Sequence, residues 1–385
     1  MKTATLNRNW SPQNLAAVCG LLVLAVLLRV VLLPATNGDY RMFLHPWFQE
    51  IQQNGGFAAL SNQIGDYTPL YMYLLAFLTY FPGHDLTLIK TASCVADFVL
   101  AFLVMRIVQE YRPEPWAGVA AFFVSLFFPP VFLNSAAWGQ CDAMYICGLL
   151  ACFYGCLHKR SWMAMLGFSI AFALKLQTVF FAPFVLWLLV RRHLKWRSLL
   201  LIPAVYLASV IPAVLLGRNF QDLLLIYWNQ SHGYNQLCMG IPNLYAFFGP
   251  AQNEILGKAG VLFAGGVVLL ALLFLWRSRA ALDHDLLLNG ALFSLFLVPY
   301  LLPYMHERYY MPADIFGILY AFRFPKRIYI PLALAVADTL GQANFTFGLQ
   351  ENPVELMSLV ILAALVALAA FLYRTAGYPR REATA

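Results

Sequence analysis

The sequence predicts an all-α protein that crosses a membrane many times, and three observations carry that expectation. Of its 385 residues, 61% are hydrophobic and only 11% charged, whereas soluble domains carry about 25% charged residues; this chain cannot cover a water-soluble globule. Apolar runs of spanning length recur from one end to the other. Lys and Arg gather in short clusters between those runs, so the formal net charge of +7 reports topology through the positive-inside rule and does not call for nucleic acid as a partner.

The chain reads as one transmembrane domain over residues 1–385, with no soluble domain and no long linker. Lys2 and Arg8 precede an apolar run from Leu15 to Leu33 that lacks a small-residue cleavage site, which reads as a retained anchor. Since about 20 residues cross the hydrocarbon core, ordinary spans are expected at 15–34, 87–108, 117–133, 141–157, 197–216, 257–276, 284–303, 307–322, 328–345 and 354–373. Pro69 to Phe81 is too short to cross alone, and Trp162 to Val190 holds two short apolar helices interrupted at Lys175-Leu176-Gln177. One orientation puts every basic cluster on the cytoplasmic side: Lys2/Arg8, Arg106/Arg112, His158 to Arg160, Arg191 to Arg197, Arg277/Arg279, Arg323 to Arg327 and Arg374 to Arg381. It implies about 12 crossings, some short or broken, and leaves 35–86 and 217–256 as the large external loops. Arg41 to Gln53 in the first and Leu223 to Trp228 in the second read as interfacial amphipathic segments roofing an outward-facing cavity.

Seven cysteines fall mostly inside apolar runs without metal-ligand spacing, so free thiols are expected. No repeat of 20–50 residues and no Gly-rich phosphate loop is visible.

Ionisable groups near membrane depth are costly to hold and therefore mark function. Here they collect on the external side: Asp39 and Tyr40 after Gly38, Asp66 and Tyr67 before Thr68-Pro69, Asp142 after Trp138-Gly139-Gln140, Lys175 with Gln177, and His306-Glu307-Arg308-Tyr309. Carboxylates on one wall and cations on the other suit glycosyl transfer from a phosphate leaving group, with an acid anion removing the acceptor proton and cations stabilising the departing phosphate. Each residue also has a structural reading. Asp39 fits a turn, Asp66 fits a cap for the following helix, and Asp142 fits a helix N-terminus. Lys175 needs an anionic partner, either a donor phosphate or a buried carboxylate. Asp97, inside a span, fits a cation partner or an interhelical hydrogen bond.

The order Gly38-Asp39-Tyr40, Asp66-Tyr67-Thr68-Pro69-Leu70, Trp138-Gly139-Gln140, His306-Glu307-Arg308-Tyr309 resembles the C-type glycosyltransferases that use polyprenyl-phosphate sugars. The nearest likenesses are the bacterial relatives of the second GPI mannosyltransferase and the dolichyl-phosphate-glucose glucosyltransferases of asparagine-linked glycosylation. The resemblance runs from the first span to about Pro312. It implies the fold of that superfamily and an inverting, metal-independent hexosyl transfer without a cofactor, from a polyprenyl-phosphate sugar (mannose first, glucose second) to a lipid-linked glycan or glycolipid. Under it Asp39 is the general base, and the segment His306, Glu307 and Arg308 lies near the donor phosphate, with Lys175 added as a phosphate contact from its own position. Tyr40, Asp66, Tyr67, Trp138, Gln140, Asp142, Gln177 and Glu307 complete the site. The expected location is a bacterial cytoplasmic membrane with the site facing the periplasm or exterior. A transporter or flippase for a lipid-linked sugar remains the alternative from another class, and a scaffold for polysaccharide assembly a third.

Overall fold

The computed structural model describes residues 11–233, 236–248, 253–348 and 353–377; the basic residues Lys2, Arg8, Arg380 and Arg381 lie outside them. Within the described residues the chain is helical almost throughout. Six helices are long and apolar enough to cross a membrane: α1 (Pro12–Leu32), α4 (Asp85–Tyr111), Trp196–Leu215, which contains α10 (Leu201–Leu215), α13 (Glu254–Arg277), α14 (His284–Leu301) and α17 (Val354–Thr375). A seventh crossing arises if α5 (Pro115–Leu126) and the segment Pro129–Trp138 act as one span bent by 48°. The bend sits at Pro129-Pro130, where the missing N–H groups interrupt the helical ladder.

The other expected crossings fall on elements that are too short or, for the 19-residue α16, not apolar enough to count as spans by length and composition. These are α3 (Pro69–Leu78), α7 (Asp142–Leu157), α8 (Ser161–Leu174), α9 (Ala182–Val190), α15 (Met311–Arg323) and α16 (Tyr329–Phe347). The break expected at Lys175 to Gln177 is present: α8 ends at Leu174, Lys175 is extended, and a 3-10 turn over Leu176–Phe181 leads into α9. The span expected at 307–322 starts later, at Met311, because residues 305–310 form a short strand and turn at the site end of the molecule. The first external loop contains a π-helical turn (Tyr40–Leu44) running into α2 (His45–Gln53). Leu44, Phe48 and Ile51 are buried against α3, while Met42 and Phe43 are exposed, which is the two-faced character expected of that segment. The second external loop holds α11 (Phe220–Leu224) and α12 (Ile226–His232), with Leu223 and Ile226 buried and Trp228 outward.

The basic clusters gather at one end of the bundle. Glu110 meets His158 at 3.3 Å, the Tyr111 hydroxyl donates to the His284 carbonyl, Arg191 donates to the Ala280 carbonyl, and Arg323 forms a two-pronged pair with Asp285 at 2.6 and 2.7 Å. The opposite end, where α7 begins and α8 finishes, carries Asp39, Trp138, Asp142 and Arg308. Two polarised ends joined by apolar helices are what the charge pattern requires.

The α7–α8 hairpin sets the geometry of that second end. Small residues let the two backbones approach, as in other membrane helix pairs: a side chain built at Gly155 would lie 2.6 Å from the Ala164 nitrogen, and one at Gly167 would lie 2.6 Å from the Cys152 nitrogen. Because α7 runs away from Asp142 and α8 returns to Lys175, close packing of the hairpin brings its two charged ends together.

Deeper in the bundle, Arg29 of α1 reaches Asp97 of α4 at 2.8 Å. Ser135 donates to the same Asp97 oxygen at 2.6 Å, and Arg29 also donates to the Leu126 carbonyl. Asp97 therefore serves both of its expected roles, cation partner and interhelical acceptor. We predict that Gly167→Leu, which forces the hairpin apart, lowers stability by about 3 kcal/mol, read as a fall in the thermal midpoint of the detergent-solubilised protein.

Candidate active site

Two π-helical turns position the core of the site, a form that recurs at functional positions. Asp39 immediately precedes the turn Tyr40–Leu44, and Trp138 closes the turn Leu133–Trp138. The Asn37 side chain links them, donating to the Trp138 carbonyl at 3.2 Å and accepting from the Tyr40 N–H at 3.0 Å. Asp39 Oδ2 accepts from Trp138 Nε1 at 2.9 Å and from Gln140 Nε2 at 2.9 Å, and Arg308 Nη1 stands 3.6 Å away. Among the described residues its hydrogen bonds all fall on Oδ2, and the residue lines the adjoining hollow. Asp39 is thus a carboxylate held on one oxygen by two hydrogen-bond donors and an arginine ion pair, beyond what a loop turn requires.

Behind Asp39 lies a second charge cluster. Asp142 binds Lys175 through Oδ1, accepts from Asn134 Nδ2 at 2.8 Å through Oδ2, and has Arg308 Nε at 3.7 Å. Lys175 also reaches Gln140 Oε1 at 3.5 Å, and the same oxygen accepts from the Tyr67 hydroxyl at 3.2 Å. The Lys175 ammonium lies 5.4 Å from the Tyr67 ring centre, and the Arg308 guanidinium 4.8 Å from that of Trp138. Burial disfavours the charge on Arg308, yet Asp142 and Asp39 outweigh it, so its pKa lies well above the ordinary arginine value and the residue stays a cation.

A hollow with about 50 Å³ of open volume is lined by Asp39, Phe43, Leu44, Trp47, Asp66, Tyr67, Gln140, His306 and Arg308. The structure therefore brings together Asp39, Asp66, Tyr67, Gln140, His306 and Arg308 on one surface, with Trp138, Asp142 and Lys175 directly behind it. Several expectations change. Lys175 does not line the hollow; it is 4% exposed and its carboxylate partner is Asp142, the second of the two partners its burial demanded. Asp66 does not cap α3, whose N-cap is Thr68 with Pro69 following; it stands at the rim of the hollow. Asp142 does occupy the first turn of α7, so its helix-terminal and site readings both hold. Tyr40 turns away, donating to Asp85 Oδ1 at 2.9 Å, and cannot stack against a ligand beside Asp39. Gln177 lies outside the lining, with its buried Oε1 lacking a hydrogen-bond partner among the described residues. Glu307 faces a second hollow, on the other side of His306.

The sequence reading passed over four supporting residues. Lys90 of α4 is fully buried and donates to the carbonyls of Leu33, Ala35 and Ala137 at 3.1, 2.6 and 2.9 Å, capping the end of α1 and tying the chain before Asp39 to the turn bearing Trp138. Asn37 and Asn134 act as described, and Asp85 receives Tyr40 together with His45, whose Nδ1 is 2.5 Å away. A lysine and an acid at the start of an otherwise apolar span were the available signal for Lys90 and Asp85. The asparagines carried none.

A largely helical membrane bundle with a carboxylate and cations around an end-facing hollow defines a polytopic membrane protein. Residues 66–299 match glycosyltransferase family 87, and the chain belongs to that family. No curated protein matches it. Among solved structures it is similar to ArnT from Cupriavidus metallidurans bound to undecaprenyl phosphate, with 14% identity and a TM-score of 0.57 over 94% of this chain and 71% of that one, a likeness of fold.

Removing Lys175 strands Asp142 inside the protein. Lys175→Met is expected to cost about 3–5 kcal/mol, with part of the loss recovered in Lys175→Met/Asp142→Leu, measured by thermal unfolding of both variants. Additive losses would show that the pair is not coupled.

Proposed function

We propose that the protein is an inverting glycosyltransferase that moves a hexose, mannose first and glucose second, from a polyprenyl-phosphate sugar to a lipid-linked glycan or glycolipid on the non-cytoplasmic side of a bacterial cytoplasmic membrane. The observation that carries the reading is Asp39, fixed through Oδ2 by Trp138, Gln140 and Arg308 on the wall of a hollow that also exposes His306. Membership of a glycosyltransferase family favours an enzyme over a transporter or a scaffold, and a related fold bound to undecaprenyl phosphate favours a polyprenyl-phosphate donor.

In this reading Asp39 Oδ1 takes the proton of the acceptor hydroxyl as its oxygen attacks the anomeric carbon from the face opposite the phosphate. The bond from that carbon to the phosphate oxygen breaks, and polyprenyl phosphate leaves with the electron pair. Arg308 and His306, both in the hollow wall, donate to the departing phosphate oxygens, where a fixed guanidinium is most effective in a site that excludes water. Lys175 acts from behind: by holding Asp142 and Gln140 it sets the orientation of Arg308 and of the amide on Asp39. The chemistry is written without a metal, because Asp39 and Asp142 already have guanidinium, ammonium or amide partners.

Asp39→Asn keeps an oxygen to accept from Trp138 and Gln140 but removes the base. Transfer from a synthetic short-chain polyprenyl-phosphate mannose in proteoliposomes should fall at least about 100-fold, with the thermal midpoint unchanged. Undiminished turnover would remove Asp39 from the mechanism.

A further inference from the structure

A larger hollow of about 530 Å³ lies beyond His306, which stands in the walls of both. It falls within the size range of small-molecule sites, and it is built from segments distant in sequence. The strand β1 (Cys238–Met239) of the second external loop pairs in parallel with β2 (Met305–His306), and the ends of α16 and α17 close the other side.

Its chemistry differs from that of the hollow beside Asp39. The titratable side chains among its described lining residues are Glu307, Glu355, Cys238 and His306, with no Lys or Arg. Glu307 is 4% exposed, and its Oε1 has no hydrogen-bond partner among the described residues. The nearest nitrogens of its basic neighbours, His306 Nδ1 at 3.8 Å and Arg308 Nη1 at 3.9 Å, are beyond hydrogen-bonding reach of its oxygens. A buried carboxylate oxygen without a donor is costly, and the Glu307 side chain lines this hollow. Two glycines leave it room: Gly240, at φ +84°, where a side chain would come within 3.4 Å of Glu307 Oε2, and Gly341, where one would come within 3.1 Å of Glu307 Cβ.

Asn344 and Gln236 add amide groups to the lining, and Phe345 adds an aromatic face. One face of the Phe345 ring stacks on Trp138, with centroids 4.2 Å apart and planes 17° apart, yet the residue remains 38% exposed. Trp138 in turn donates to Asp39, so this platform is two side chains from the base.

We infer that this hollow binds a hexose unit of the acceptor, neutral or amino-bearing and not anionic. Its hydroxyl or ammonium groups donate to Glu307, and its C–H face packs on Phe345. The absence of Lys and Arg among the described lining residues and the presence of two carboxylates disfavour phosphate and uronate groups, which distinguishes this chamber from the hollow with Arg308 in its wall. The assignment of the sugar to an acceptor rests on the function proposed above; the binding site itself does not.

Saturation-transfer NMR on the full chain in detergent, with simple methyl glycosides, tests it. Methyl α-mannoside and methyl glucosaminide should show saturation transfer, with that to methyl glucuronide at least about five-fold weaker. Phe345→Ala should reduce the first two signals several-fold, and Glu307→Gln should abolish the preference for glucosaminide over glucuronide. Equal signals from all three glycosides in the native chain, or signals unchanged in both variants, would overturn the proposal. Should either variant lose its fold, Gln236→Ala in the external loop provides the second test, with weakened mannoside signal expected and an unchanged one counting against the site. If the glycosides bind as described while the native chain transfers no sugar from the polyprenyl donor, the chamber stands and the donor reading falls.

Discussion

The site depends on one interaction, the pairing of Asp142 with Lys175 and Arg308 in a region that water scarcely reaches. Each of these charges would be expensive alone. Together they tie the start of α7, the break after α8 and the segment following β2 into one unit, and that unit holds Gln140 and Arg308 against Asp39. The neutralising partners come from three stretches of chain, so the carboxylate-and-cation arrangement exists only when all of them are folded. This gives the buried charges a role in specifying one arrangement as well as in chemistry.

Around this centre the supports are mostly backbone carbonyls and amides. Lys90 satisfies carbonyls from the end of α1 and from the π-helical turn that carries Trp138, so a cation with no carboxylate partner among the described residues fixes two segments at once. Arg29 and Asp97 do comparable work deeper in the bundle. The same physical rule governs both places: polar groups inside lipid-facing helices are tolerated where the protein itself replaces water. The site end therefore collects charge without exposing it to hydrocarbon.

The two hollows that meet at His306 differ in charge, a difference that under the proposed function would serve two substrates. The hollow beside Asp39 has Arg308 in its wall, whereas the larger one presents carboxylates and a ring face. An enzyme that joins an anionic donor to a hydroxylated acceptor gains from such a division, because each substrate is discouraged from the other's place. The wall between them is formed by pairing β1 with β2, a small piece of sheet in an otherwise helical protein.

Sequence alone determined the membrane class, the polarity of the bundle and the break at Lys175, because apolar run length and charge placement act locally and do not depend on partners; it singled out Asp39, His306 and Arg308, which the structure brings together around one hollow. It also marked Asp66, Trp138, Gln140 and Asp142 through their short motifs. Tertiary structure decided which charges pair. Lys175 chose Asp142, Tyr40 turned to Asp85, Asp66 moved to the rim, and Glu307 went to a second hollow although it adjoins Arg308 in sequence. Glu307 and Arg308 lie in the turn that follows β2, where neighbouring side chains can diverge, and electrostatic partners are selected by distance in space. For this reason a run such as His306-Glu307-Arg308 announced a site without revealing that its members serve two different chambers.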